Sequence, residues 1–296
     1  MTIRQEMRAA AAKAKRLLGD SSDLVVQFFQ SRINEDGGFR GRDERSDLYY
    51  TVFGMEGLTA LGEAIPTEGL REFLFRQNNV QNLDLVHLAC WARCGANLGD
   101  ETFLPEQRAR FQEQIEKFRS AEGGYANNPK ISFGSAYGGF LALGAYQDLA
   151  LIIPDKEKLI YGIKSLAVKD GGFANERSFA EGSTPATAAA VGVLRQLGEP
   201  VDESVNKWLL TRCYKQGGFS ATATASLPDL LSTATALHAL ATMQADFRDI
   251  RPECLDFLDS LWSGKGGLDG SWADRVLDCE YTYYGLLALG HLAGGE

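Results

Sequence analysis

The acidic start of one apolar segment near the C-terminus is the stretch best suited to chemistry. Segment 278–291 reads DCEYTYYGLLALGH and opens with two acids, Asp278 and Glu280. Two more, Asp269 and Asp274, lie shortly upstream. Neighbouring negative charges and removal from water both raise the pKa of a carboxyl group. A carboxylic acid that stays protonated near neutral pH can donate a proton, so this cluster is a candidate acid site.

The elements around this stretch are repeated along the chain. Each repeat has a glycine pair, an apolar residue, about ten polar or small residues and a long apolar segment. The pairs begin at positions 37, 123, 171, 217 and 266, so the last four are 46 to 49 residues apart and the first two are 86 apart. The long first interval indicates a degenerate repeat with its turn at 78–82. A fixed period of this length is typical of repeat architectures, and here it predicts six repeats.

Each repeat reads as two helices. The segment before the glycines is amphipathic, as an outer helix should be, and the segment after them is apolar on all sides, as a buried helix should be. The predicted outer helices include 23–32, 106–120, 155–168, 202–213 and 252–262, and the inner ones are 47–61, 84–96, 134–146, 184–197, 229–243 and 278–292. Neither end of the array carries a polar capping helix. The pattern therefore predicts an all-α (α/α)6 toroid, a closed ring whose first and last repeats touch.

The N-terminal 21 residues are predicted to form a helix packed on a single toroid domain, 22–296. The helix carries Arg4, Arg8, Lys13, Lys15 and Arg16, which we expect to lie in water. A second interpretation places it on an anionic membrane surface. The segment lacks the apolar core of a signal peptide, and no run of about eighteen apolar residues predicts a membrane span.

Composition excludes several classes of function. The net charge is −9 and no run of five like charges occurs, which argues against a nucleic-acid partner. The five cysteines are odd in number and show no close CxxC pair, so a disulfide framework is not expected and a reducing cytoplasm fits better.

The GGF-type turns and the D-x-x-Y-T starts of inner helices resemble the α/α toroids of protein prenyltransferase β subunits and of squalene–hopene and related terpene cyclases. The resemblance covers about residues 22–293. It implies an isoprenoid substrate, and it leaves the reaction open between the two groups.

The zinc-dependent prenyltransferases have D-x-C at the start of one inner helix and a His at the start of the next. At the matching positions, the cysteine is replaced by Tyr49, Leu231 or Glu280, and the His by Tyr281. We therefore expect no bound metal, although zinc remains an alternative with an incomplete ligand set. No obligate partner subunit is expected.

The turn Gly37-Gly38-Phe39-Arg40-Gly41-Arg42 resembles the transferase turn whose basic residues hold a prenyl diphosphate. Arg42 and Arg45 would be the phosphate ligands here, because guanidinium pairs with phosphate oxygens, and magnesium would suit such a substrate. The alternative is that both arginines pair with Asp43, Glu44 or Asp47 at the end of the ring.

Class II terpene cyclases have D-x-D-D-T-A at the start of an inner helix. Asp278-Cys279-Glu280-Tyr281-Thr282 is similar, with Glu280 at the proton donor's position and Tyr281 in place of the last Asp. The resemblance implies that Glu280 protonates the substrate and that Asp278 orients it. Asp47 and Asp229 start the neighbouring inner helices in the ring. They are further candidates for catalysis, and capping their helices is their alternative role.

Aromatic residues on the inner helices would suit carbocation intermediates, since aromatic faces attract cations. About half of them are expected to be ordinary core. The candidates for substrate contact are Tyr49, Tyr50, Phe53, Trp91, Tyr137, Phe140, Tyr281, Tyr283 and Tyr284.

Three functions follow. The first is a terpene cyclase-like enzyme that starts cyclisation of a polyprenyl substrate with an acid. The second is a prenyltransferase that binds a prenyl diphosphate. The third is a non-catalytic toroid that binds a lipid or a protein, a role for which adjacent carboxylates have no use.

Overall fold

The computed structural model of the chain describes residues 1–77, 80–99 and 102–294. In this part the regular elements are helices, and the β-structure is limited to isolated bridges. The α-helices, in chain order, are α1 (Ile3–Ala11), α2 (Lys15–Leu18), α3 (Ser22–Gln30), α4 (Leu48–Ala60), α5 (Thr67–Arg76), α6 (Leu85–Leu98), α7 (Pro105–Glu116), α8 (Ala136–Asp148), α9 (Lys156–Lys164), α10 (Thr184–Gln196), α11 (Ser204–Leu210), α12 (Leu230–Thr242), α13 (Arg251–Ser260) and α14 (Cys279–Leu292).

The even-numbered helices from α4 onward form an inner ring, and the odd-numbered ones from α3 onward lie outside it. Each inner helix packs on the next, and α14 packs on α4, so the ring is closed. At the closure, Gly266 has φ +84°, and a Cβ there would lie 2.1 Å from the Leu24 carbonyl oxygen of α3. The predicted (α/α)6 toroid is therefore confirmed, with glycine required where the last repeat meets the first.

A recurring pair of contacts holds the start of an inner helix to the preceding turn. In three repeats the backbone N–H of the buried turn phenylalanine donates to a threonine hydroxyl in the first turn of the following helix, and an aspartate or serine caps that helix. The hydrogen bonds run from Phe39 to Thr51 (3.0 Å), from Phe173 to Thr187 (2.9 Å) and from Phe219 to Thr233 (2.9 Å). Thr282 makes a longer version with Leu268, at 3.4 Å. The threonine of the repeated motif is thus structural.

The degenerate second repeat is only partly described. Of its predicted turn, Asn78 and Asn79 lie outside the described residues, and Val80–Asn82 forms a 3₁₀ turn. Within the described residues no helix is both long and apolar enough to cross a membrane.

Helix α1 covers one end of the ring, the end at which the inner helices terminate. The Ile3 N–H donates to Gln147 of α8, and Arg4 bonds Asp148 of α8 at 2.9 Å. On α14, a Cβ at Gly290 would lie 1.9 Å from the Ala10 carbonyl oxygen, so the two backbones are in close contact.

Lys13, Lys15 and Arg16 are exposed as expected, whereas the expectation that Arg4 lies in water is corrected. The Arg4 side chain is 12% exposed and its partner Asp148 is 1% exposed, so this ion pair is withdrawn from water. The apolar side of α1, made by Ile3, Met7, Ala10 and Ala11, is buried and faces the ring rather than a membrane.

Candidate active site

A cavity of about 310 Å³ lies inside the ring. This is within the range of small-molecule sites. Its wall comes from five of the inner helices and from the loop before α10, and Met7 of α1 contributes from the closed end. Most of the wall is aliphatic or aromatic. The lining residues are Met7, Tyr49, Tyr137, Phe140, Asn175, Ser183, Pro185, Ala186, Ala188, Ala189, Leu231, Thr235, His238, Glu280, Tyr284 and Leu287.

The second residue of an inner helix faces this cavity in five of the six repeats. These residues are Tyr49, Tyr137, Pro185, Leu231 and Glu280. Glu280 is the one ionisable acid among them. By the resemblance described above, this position corresponds to the cysteine of the zinc-dependent transferases.

Glu280 is held by a tyrosine from the first repeat. The Tyr49 hydroxyl donates to Glu280 Oε1 at 2.5 Å, and burial raises the pKa of Tyr49, which keeps it a neutral donor. Burial also raises the pKa of Glu280 to about 7, against the Tyr49 hydrogen bond, and the nearby Asp278 charge adds to the rise. With Oε1 occupied as an acceptor, Oε2 is the oxygen that carries the acid proton. The site therefore contains a carboxyl group whose acid form is about half populated at pH 7 and predominates below it.

Asp278 lies behind this acid and does not bond to it. Its side chain is 2% exposed, caps α14 by accepting from the Tyr281 N–H at 2.8 Å, and accepts from Arg42 Nε at 2.8 Å. Arg42 also reaches Asp274 at 3.0 Å. The expectation that Asp278 orients Glu280 is corrected, because the direct contact comes from Tyr49.

The two candidate acids on neighbouring inner helices, Asp47 and Asp229, are helix caps. Asp47 accepts from the Tyr49 N–H at 2.7 Å, and its second oxygen lies 3.6 Å from His87 Nε2. Asp229 accepts from both the N–H and the hydroxyl of Ser232 at 2.7 Å. Neither carboxylate lines the cavity, so the structure favours capping over the predicted catalytic role.

The two arginines are bound to carboxylates. Arg45 pairs with Asp43 at 2.6 Å and is 87% exposed. Arg42 pairs with Asp274 and Asp278 of the last repeat rather than with the nearby Asp43, Glu44 or Asp47. Neither guanidinium lines the cavity, so a diphosphate in the cavity would not meet them there.

The aromatic candidates divide into those that line the cavity and those behind it. Tyr49, Tyr137, Phe140 and Tyr284 line it. Phe53 packs behind them, with its ring centroid 5.0 Å from that of Tyr49 and 5.5 Å from that of Tyr284.

The remaining aromatic candidates lie outside the cavity wall, which corrects their predicted role in substrate contact. Trp91 stacks on both Phe103 and Phe111, away from the cavity. The Arg42 guanidinium lies over the Tyr281 ring, 5.2 Å from the ring centroid. Tyr283 is buried against Phe53. Tyr50 packs edge-on against Tyr49.

Sequence reasoning missed several lining residues. Leu231, Thr235 and His238 follow each other at i, i+4 and i+7 on α12, so the spacing that places Glu280, Tyr284 and Leu287 on α14 would have found them. Asn175 lies in the loop before α10, and its side chain accepts a hydrogen bond from the Tyr137 N–H of α8 at 3.0 Å. No comparable pattern indicates Met7, because nothing in the sequence predicts that α1 lies against the end of the ring.

The residues at the zinc positions do not form a thiolate site. Cys279 is fully buried and does not line the cavity, while Glu280 takes the place that faces it. Among the described residues, no three His, Cys, Asp or Glu side chains come together as a metal site requires.

The chain belongs to the family of the prenyltransferase alpha-alpha toroid domain. The family model matches residues 16–89, 76–199 and 187–293, which together span nearly the whole chain. By sequence, no curated protein matches it.

Proteins of known structure with the same fold catalyse different reactions. Protein geranylgeranyltransferase-I of Candida albicans, solved with GGPP, has a TM-score of 0.69 and 16% identity, with 92% of this chain and 90% of that chain covered. The type II terpene cyclase MstE from Scytonema has a TM-score of 0.64 and 14% identity, covering 93% and 97%. The GH76A alpha-1,6-mannanase of Salegentibacter sp. HEL1_6 has a TM-score of 0.57 and 12% identity, covering 93% and 98%. At these identities the likeness concerns the fold, so the reaction has to be argued from the site.

Proposed function

We propose that this protein is a terpene cyclase-like enzyme that starts cyclisation of a polyprenyl substrate by protonating an alkene. The observation that carries the proposal is Glu280, a buried carboxyl group in an apolar cavity with a pKa of about 7 and a hydrogen bond from Tyr49. An alkene is a very weak base, so its protonation needs an acid that is kept both protonated and dry.

The rest of the cavity suits the steps that follow protonation. Aliphatic side chains such as Ala186, Leu231 and Leu287 match a hydrocarbon chain and exclude water, which would otherwise quench a carbocation. The rings of Tyr49, Tyr137 and Tyr284 offer faces that attract positive charge. Cyclisation of a polyene moves a positive charge through such a space without needing a bound cofactor.

The competing functions fit the site less well. A zinc-dependent transfer needs a thiolate where Glu280 stands, and a diphosphate needs free cations where Arg42 and Arg45 are already paired. Hydrolysis of a glycoside uses two carboxyl groups across the scissile bond, whereas one carboxyl group from the described part of the chain lines this cavity. A purely lipid-binding toroid gains nothing from burying an acid, because burial of an ionisable group costs free energy.

The test of function is incubation with polyprenyl compounds of several chain lengths, with and without a diphosphate, followed by product analysis by mass spectrometry. Cyclic products from a substrate that keeps its polar end support the cyclase. Release of diphosphate, or transfer of the prenyl group to an acceptor, would favour the transferase. Binding without turnover would leave a lipid-binding toroid.

The rate should depend on pH through Glu280. The protonated form is the active one, so kcat/KM should be level well below pH 7 and fall about tenfold per pH unit above it. The sign follows from the raised pKa, because the acid loses its proton as the pH passes through about 7. A pH–rate profile between 5 and 9 checks this. A rate that rises with pH over this range would mean that Glu280 acts as a base.

A further inference from the structure

Two histidines are paired at the end of the cavity opposite Glu280. His238 lines the cavity from the third turn of α12, and its Nδ1 lies 2.9 Å from Nε2 of His291 in the last turn of α14. Glu280 is the second residue of α14 and His238 the ninth of the neighbouring α12, so the two levels differ by about 10 Å along the helices. The cavity thus has an acid at one end and imidazoles at the other.

The surroundings keep both imidazoles neutral. Burial lowers the pKa of His238 to about 4, with the Arg195 charge adding to the effect, and lowers the pKa of His291 to about 3, with His238 and Lys13 adding to it. In the described part of the chain neither ring has a carboxylate partner, so nothing there stabilises an imidazolium. A neutral histidine pair shares one hydrogen between Nδ1 and Nε2, and when His238 donates it, His238 Nε2 keeps a free lone pair.

His291 connects this pair to the outside of the ring. It also lines a separate cleft at the end where the inner helices finish, together with residues such as Asp246, Arg248 and Arg251. A proton accepted at the cavity wall therefore has a short path, through His238 and His291, to a surface that the substrate does not occupy.

We propose that His238 is the base that ends the cyclisation and that His291 relays the proton to the outer cleft. This proposal rests on the proposed function. In the last step a C–H bond next to the cationic carbon breaks and its electron pair forms a C=C bond, while the proton goes to His238 Nε2. His238 then passes its Nδ1 proton to His291 Nε2, and His291 releases its own to the cleft. Glu280 has given one proton and is recharged from solvent, so the net reaction is an isomerisation.

The low basicity of the pair suits this role. A carbocation is a very strong acid, so a weak neutral base can deprotonate it, whereas a charged imidazolium would have no lone pair to offer.

The experiment compares the products of the wild type and the His238→Gln variant. Glutamine keeps a polar side chain opposite His291 but cannot accept the proton. We expect substrate consumption to continue, because Glu280 is untouched, and the ratio of cyclic olefin to water-quenched alcohol or partly cyclised product to fall at least about tenfold. In the His291→Gln variant, which keeps His238 and breaks the relay, the ratio should fall less.

His87→Asn is the matched control, since the third histidine lies at the start of α6, paired with Asp84 and Asp47, and does not line the cavity. Its product ratio should equal that of the wild type. An unchanged ratio in both His238→Gln and His291→Gln overturns the proposal while leaving the cyclase intact. If the wild type makes no cyclic product, the proposed function itself fails. Should His238→Gln not fold, His291→Gln alone decides, and an unchanged ratio there rejects the pair.

Discussion

Replacing Glu280 with glutamine abolishes product formation while the protein still folds and binds substrate. This is the largest effect we expect. Glutamine has the shape of the glutamic acid and can still accept the Tyr49 hydrogen bond, but it has no acid proton to give. Loss of a general acid typically costs about 10²–10⁴ in rate, and among the described residues no other carboxyl group lines the cavity to replace it. The turnover rate measures the loss of catalysis, and a binding titration with the same substrate shows whether binding is retained.

Asp229→Asn is the control for this variant. Asp229 caps the neighbouring helix α12, as Asp278 caps α14, and unlike Glu280 it does not line the cavity. Asparagine is also a good cap, so folding and turnover should both persist. Full turnover by the glutamine variant of Glu280 would show that the reaction does not begin with this acid.

The second large effect concerns the closure of the ring. Arg42→Gln should lower the free energy of unfolding by about 2 kcal/mol, because it leaves the buried Asp278 without its ionic partner. Burial already raises the pKa of Asp278, and the Arg42 hydrogen bond is one of the contacts that oppose this rise. The variant should therefore bind a proton at Asp278 more readily, and its loss of stability should shrink at low pH.

Arg45→Gln is the matched control for the closure. It removes the same charge three residues away from a pair in which both partners are exposed, and such pairs contribute little. Chemical denaturation of the two variants beside the wild type makes the comparison. Equal stability of both variants would mean that the Arg42 contacts do not hold the first and last repeats together.

The repeat architecture could be predicted from the sequence because its causes are local. The glycine pairs indicate turns, the apolar segments have to be buried, and the repeat period sets the number of helices. Six helix pairs and a closed ring could therefore be predicted. Helix α1 could not be placed in the same way. Its basic residues look like a solvated face, and only the assembled ring provides the buried Asp148 that Arg4 meets.

The candidate site was predicted in part for a similar reason. Glu280 stood out because it is a second acid, two residues after Asp278, at the start of an apolar segment. Its cavity-facing place follows from the position it shares with Tyr49 and Leu231. The partners of the site were not readable. Tyr49 and Glu280 are 231 residues apart, and Arg42 and Asp278 are 236 apart, so both contacts depend on ring closure. Trp91 was misplaced because a helix apolar on all sides does not reveal which face turns inward.

The measurement that tests the central claim most directly is turnover in D2O with a polyprenyl substrate. If Glu280 starts the reaction, each product molecule carries one deuterium, on the alkene carbon that received the proton, and NMR or mass spectrometry locates it. The deuterium comes from the exchangeable acid proton of Glu280, so its position reports the site of initiation. A product that forms at the normal rate without deuterium, or with release of diphosphate, would contradict acid-initiated cyclisation.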